Sequence, residues 1–288
     1  MINTKPTYST ATQPGPIGVF DSGYGGLTIL RQLRQALPQY DYIYLGDNAR
    51  APYGTRSFEL VYRFTLEAVE RLFEEGCHLV ILACNTASAK ALRSIQQRDL
   101  PRIAPDRRVL GVIRPTVEVL GKISRSGHVG ILGTPGTIAS QSYDLEIAKL
   151  HPDFNTFTHA CPMWVPLVEY HEAQSPGADY FVKKDIDELL AMSDKIDTMV
   201  LACTHYPMLL PKIRQFTPEG VNILSQGDLV AASLGDYLTR HDEMAAKITS
   251  GGSCRFLTTE RADRFEHLAS VFMGEKVEAS QITLTGHV

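Results

Sequence analysis

Residues 201–207 read LACTHYP and residues 82–88 read LACNTAS. Each closes a short apolar run on Leu-Ala-Cys and continues at once into small hydroxyl- or amide-bearing residues. A short apolar run bounded by such residues reads as a buried strand feeding a turn and helix. The chain therefore writes one strand tip twice, with Cys84 in the first copy and Cys203 in the second.

The same alternation extends outward from these tips. Strands are expected at 16–20, 40–46, 78–83, 108–113, 128–133, 155–160, 197–202, 221–225 and 254–258. Helical spacing lies between them, as with Val61, Phe64, Ala68 and Leu72 within 57–75, and Ile186, Leu189 and Leu190 within 178–193. Five-residue apolar strands alternating with amphipathic helices predict an α/β fold of mostly parallel sheets covered on both faces. The motifs also echo one another. VFDSGYGG, LGDNARAPYG and LACNTAS in the first half answer to LGTPGTIAS, ACPMWVP and LACTHYP in the second. This predicts two similar lobes: 17–111 plus a returning 223–288, and 112–222. Every hydroxyl-rich turn falls at the carboxyl end of a strand, where open α/β sheets bind ligands. A shared cleft between the lobes is the expected active site.

The 288 residues, 44% hydrophobic and 21% charged, suffice for a sizeable core. A net charge of −4 with scattered Lys and Arg gives no footprint for nucleic acid, so a small polar ligand is expected. No apolar stretch reaches membrane-spanning length. Residues 1–16 are rich in Thr, Pro and Ser without an apolar signal region, and read as a disordered lead to a soluble, cytoplasmic protein. Five widely spaced cysteines argue against structural disulfides. Cys203 and His205 alone are too few ligands for a metal, so none is expected.

Each element has a plain reading beside its chemical one. Asp21 in DSGYGGL caps a turn or helix, or serves an anion cradle at a helix start. The loop is neither a phosphate-binding Gly-Lys-Ser/Thr loop nor a dinucleotide fingerprint. Cys84 is a small buried apolar residue with a cap behind it, or a reactive thiol beside Asn85 and Thr86. His205 is a structural histidine or a proton relay. Glu169 is an exposed helical acid or a catalytic one, and PYG at 52–54 offers backbone that could reach a carboxylate. Cys77, Cys161 and Cys254 lack comparable neighbours in sequence.

Two cysteines at equivalent tips change that balance. A thiolate is a base as well as a nucleophile, and inverting a carbon centre calls for an acid/base group on each face. Thiols from two similar lobes, converging on a ligand, meet that requirement.

Together GVFDSGYGGLTIL, GDNARAPYG, LVILACNTASA, GILGTPGT, ACPMWVPLVE and VLACTHYP, in this order from about residue 17 to 230, resemble the glutamate racemases of the aspartate/glutamate racemase superfamily. The resemblance implies cofactor-independent interconversion of L- and D-glutamate, supplying D-glutamate for peptidoglycan. It also implies two facing lobes, with Cys84 and Cys203 as the acid/base pair. Asp21 would assist the first thiol, His205 the second, and Glu169 would lend further help. Substrate contacts are implied at Asp21, Ser22, Tyr53, Gly54, Asn85, Thr86, Thr204 and His205. Glutamate is the expected partner, with a homodimer left open. GVIRPT at 111–116 departs from the family's usual wording, with Arg114 in place of Glu and Thr116 in place of Gly. SQGDLVA at 225–231 and FLTTE at 256–260 match more loosely. The rivals are a single-thiol decarboxylase or hydrolase, an aspartate racemase, and a glutamate-binding regulator without turnover.

Overall fold

The computed structural model describes residues 13–284, so residues 1–12 of the expected lead lie outside it. Residues 13–16 of that lead are held: the Gly15 N–H donates to the Lys247 carbonyl at 3.0 Å, and His78 Nε2 lies 2.9 Å from the Gln13 carbonyl.

In chain order the strands are β1 (Ile17–Asp21), β2 (Tyr42–Gly46), β3 (Leu79–Leu82), β4 (Arg108–Gly111), β5 (His128–Gly133), β6 (Asn155–Ala160), β7 (Thr198–Ala202), β8 (Asn222–Leu224), β9 (Cys254–Thr258) and β10 (Ala279–Gln281). They form a six-stranded sheet, β10-β9-β2-β1-β3-β4, and a four-stranded one, β6-β5-β7-β8. All pairings between these strands, among the described residues, are parallel. The fold is α/β, as expected. The segment β2-β1-β3-β4 is wired identically to β6-β5-β7-β8, so the echo in sequence is an echo in topology. Cys84 and Cys203 follow the corresponding strands β3 and β7.

Residue alternation divides the packing. Leu79 and Ile81 join one buried cluster while Val80 and Leu82 join another; in β7, Met199 and Leu201 part from Val200 and Ala202 in the same way. Because Leu79, Ile81, Met199 and Leu201 share one cluster, a continuous core ties the two sheets together. Strands buried on both faces must read as unbroken apolar runs, which is why they stand out in the sequence.

Helices cover the faces. Phe58–Glu74 is capped by Ser57 Oγ accepting from the Leu60 N–H, and buries Val61, Ala68 and Leu72. Pro176–Leu190 starts with Ser175 capping the Ala178 N–H and Pro176 at its first position. The strand expected at 108–113 stops at Gly111, and Ile113–Glu118 is helical. Pro115 cannot donate to a sheet ladder but fits a first helical turn. Among the described residues no helix is long and apolar enough to cross a membrane.

Asp197, just before β7, fastens the turn that enters β5. Its carboxylate accepts from Ser124 Oγ and from the Arg125 and Ser126 N–H groups, each at 2.7 Å, and from Thr198 Oγ1 at 2.9 Å. Burial alone would raise its pKa, but these donors outweigh burial and hold it at about 2, below the ordinary 3.8. A depressed acid stabilises above its unfolded pKa and loses that contribution as pH falls through the folded one. Asp197→Asn should therefore lower stability fully at pH 6, and the deficit should shrink as pH drops from 3.8 toward 2. Urea midpoints of both proteins across that range check this; a deficit independent of pH contradicts it.

Candidate active site

In each sheet the chain leaves the first strand in one direction and returns on its other side, which sets a topological switch point between β1 and β3 and another between β5 and β7. Ligands sit beyond the carboxyl ends of strands at such points. Here the two switch points share one cavity of about 250 Å³. That is below the roughly 300–1,000 Å³ of sites for drug-sized ligands, and suits a small metabolite. Ser22, Tyr53, Gly54, Cys84, Asn85, Thr86, Glu169, Cys203, Thr204 and His205 all line it. Asp21 stands behind the wall, 1% exposed.

Close approach of the lobes depends on missing side chains. A Cβ on Gly25 would lie 2.3 Å from Thr204 Oγ1 and 2.4 Å from His205 Nδ1, so the GYGG turn can abut the second lobe only as glycine. At the other rim the Gly136 N–H donates to the Gly54 carbonyl at 2.7 Å, and a Cβ on Gly54 would strike Thr134 at 2.9 Å. Asp21 Oδ2 accepts from Thr204 Oγ1 at 3.4 Å, a further bond between the lobes.

Cys84 Sγ lies 3.4 Å from Ser22 Oγ and accepts from the Ala87 N–H at 3.4 Å, capping the helix Asn85–Lys90. Burial first, and the Asp21 charge second, push its thiol up to about 12 against those two hydrogen bonds. Burial also raises the Asp21 carboxyl, opposed by the His205 charge and the Gly23 and Gly26 N–H groups. Cys203 Sγ is 3.8 Å from His205 Nδ1, while His205 Nε2 is 3.0 Å from Glu169 Oε1. Burial pulls the imidazole down, but hydrogen bonds to Cys203 and Glu169 prevail and lift it to about 10. The second thiol thus sits beside an imidazolium, and the first beside a carboxyl.

Sequence reasoning missed three groups. Thr134 and Thr137 bring their hydroxyls across the lobe boundary to 3.0 and 3.2 Å from that of Thr86, which the resemblance did imply, and lie 3.0 Å from each other; the signal was the GTPGT turn, equivalent in place to DSGYGG. A second group holds Asn85, whose Nδ2 donates to Gln226 Oε1 at 2.5 Å and whose Oδ1 accepts from Tyr143 at 2.7 Å. Gln226 Nε2 in turn donates to Tyr143 at 2.8 Å and to Thr116 at 2.9 Å. Nothing in the loosely matching SQGDLVA singled out Gln226. Thr116, one of the two departures, is fully buried in this network, whereas Arg114 is exposed and pairs with Glu118 and Glu146. The third is Cys161, which also lines the cavity. Tyr53 lines the cavity too, but its hydroxyl donates to Asp47, which leaves its ring and backbone for the ligand. All five cysteines are free thiols.

Gln226→Leu should strand the Asn85 Nδ2 donor and remove the donor to the Tyr143 hydroxyl, which keeps only its bond to Asn85 Oδ1, costing about 1–3 kcal/mol. A drop in the urea midpoint with unchanged slope checks this, and an unchanged midpoint contradicts it.

The chain resembles known proteins over most of its length. Residues 25–234 match the family model described as Asp/Glu/Hydantoin racemase. Glutamate racemase of Ruegeria sp. is 37% identical over 91% of this chain and 97% of that protein. The one from Aquifex aeolicus is 38% identical over 91% and 95%. Among solved structures, glutamate racemase isoform RacE1 of Bacillus anthracis superposes with a TM-score of 0.85 at 33% identity, over 94% of this chain and 98% of that one. The Francisella tularensis glutamate racemase in complex with D-glutamate gives 0.83 at 30% identity, with the same coverage. Two thiols at matched strand tips and this run of similarity agree: the chain belongs to the Asp/Glu/Hydantoin racemase family.

Proposed function

We propose that the protein interconverts L- and D-glutamate without a cofactor, using Cys84 and Cys203 as acid and base, and so supplies D-glutamate for peptidoglycan precursors. The observation that carries this is the pair of thiols, one from each switch point, lining a single small cavity. A hydrolase or decarboxylase needs one such thiol, and a matched second tip would be idle. The glutamate racemases to which the chain is similar support the choice of substrate.

In this reading the substrate's Cα lies between the two sulfurs. In one direction Cys203, in contact with His205, serves as the base, and Cys84, whose thiol burial pushes up, serves as the acid. Cys203 takes the α-proton from one enantiomer while Cys84 delivers its own proton to the opposite face. The configuration inverts and the charge moves to Cys84. The opposite enantiomer uses the reverse assignment, with Asp21 and Ser22 serving Cys84 as His205 and Glu169 serve Cys203. Hydroxyls of Thr86, Thr134 and Thr137 are donors for the substrate carboxylates, with Thr204, Tyr53, Gly54 and Asn85 as further contacts. The lobes would divide as 17–111 plus 223–288 and 112–222, with the second boundary moved past the end of β8 at Leu224, since that strand belongs to the four-stranded sheet.

Incubation with L-glutamate in D₂O, without added cofactor, should abolish the circular dichroism signal and place deuterium at Cα. Prior treatment with EDTA or hydroxylamine should leave the rate unchanged. Absence of Cα deuterium, or activity restored only by an added cofactor, contradicts the proposal.

A further inference from the structure

Cys161 is a buried thiol that this reaction leaves unused, and it has neighbours that its sequence surroundings did not disclose. It follows β6 directly and is 1% exposed. Two residues earlier stands His159, whose Nε2 lies 3.2 Å from Oδ1 of Asp185 on the helix Pro176–Leu190. Asp185 is itself 4% exposed, and its Oδ2 is buried without a hydrogen-bond partner among the described residues. One ligand atom from each of His159, Cys161 and Asp185 can be chosen so that all lie within 4.8 Å of one another. Glu188, one helical turn beyond Asp185, brings Oε2 to 3.5 Å from the same imidazole nitrogen.

We propose that His159, Cys161 and Asp185 form a Zn²⁺ site, with Glu188 or water as the fourth ligand. Imidazole, thiolate and carboxylate are the zinc donors, and bond lengths of about 2.0–2.3 Å set tetrahedral ligand atoms roughly 3.3–3.7 Å apart. The His159–Asp185 separation already matches, and the widest pair must close by about 1 Å to meet that spacing. The hydrogen bond from His159 satisfies one carboxylate oxygen and leaves Oδ2 with no donor beyond the weak S–H of Cys161, whereas a cation would hold the carboxylate and the sulfur together. On binding, Cys161 releases its proton to solvent. The resulting thiolate and carboxylate then balance the charge of the ion. One sulfur and one nitrogen among few donors disfavour Mg²⁺ and Ca²⁺, which take more oxygens.

Such an ion would fasten the end of β6 to the helix behind it. Pro162–Glu169, a wall of the cleft, begins at the next residue. Cys161 also borders the cavity that holds the two catalytic thiols, but the site does not depend on the reaction assigned to them. Its effect is on stability, since an ion that binds only the folded chain raises the unfolding temperature by linkage.

The test is Co²⁺ titrated into metal-free Cys84→Ser/Cys203→Ser protein, in which the catalytic thiols cannot contribute. One equivalent should bind with tetrahedral d–d absorption and a sulfur-to-cobalt charge-transfer band, both displaced by Zn²⁺. In that background Cys161→Ser should lose the charge-transfer band. Zn²⁺ should raise the melting temperature of the parent but not of His159→Gln, whose partly exposed side chain makes it the safer variant for folding. An octahedral spectrum without a sulfur band, a band that survives Cys161→Ser, or equal Zn²⁺ stabilisation of His159→Gln would each overturn the proposal.

Discussion

The site exists because the carboxyl edges of two sheets come within van der Waals distance without closing on each other. Three contacts set that spacing. Gly25 admits Thr204 and His205, the Gly136 N–H meets the Gly54 carbonyl, and Thr86 meets Thr134 and Thr137. Each joins a turn of one lobe to a turn of the other, so the cavity walls are the joint itself. A side chain at Gly25 would push against the residues that carry the second thiol and its imidazole.

Burial then gives the two thiols different surroundings. Desolvation disfavours charge on Cys84 and Asp21 alike, and raises both. On the second side His205 lies between Cys203 and Glu169, and keeps its proton well past neutral pH. The two thiols therefore meet different partners, and a racemase must use each of them as acid and as base in a full cycle. Behind Asn85, Gln226 and Tyr143 hold the amide in one orientation, so this polar wall does not have to be ordered by the ligand.

Most of this arrangement was legible because parallel strands buried on both faces leave unbroken apolar runs, and because their tips carry small polar residues. LVIL and TMVLA could be read for that reason, and Cys84 and Cys203 with them. The strand β10 was not legible: Ala-Ser-Gln, at an exposed edge, has no apolar pattern to declare it. Ile113–Glu118 was hidden in an apolar run continuous with β4, with Pro115 as the only punctuation. Gln226, Tyr143 and Asp185 escaped for a different reason. Each acts on a residue far away in sequence, and a polar residue inside an amphipathic or turn segment carries no mark of the partner that folding will give it.

The central claim is that two thiols address opposite faces of one carbon. Serine is far less acidic than cysteine, so Cys84→Ser and Cys203→Ser each lose one base and keep the other. With a substrate analogue carrying a leaving group at Cβ, proton abstraction alone is visible, because the carbanion expels that group before any reprotonation. The measurement is elimination from each enantiomer of the analogue by each single variant. Opposed thiols predict that each variant processes one enantiomer, and that the two variants process opposite ones; both variants acting on the same enantiomer would contradict the account.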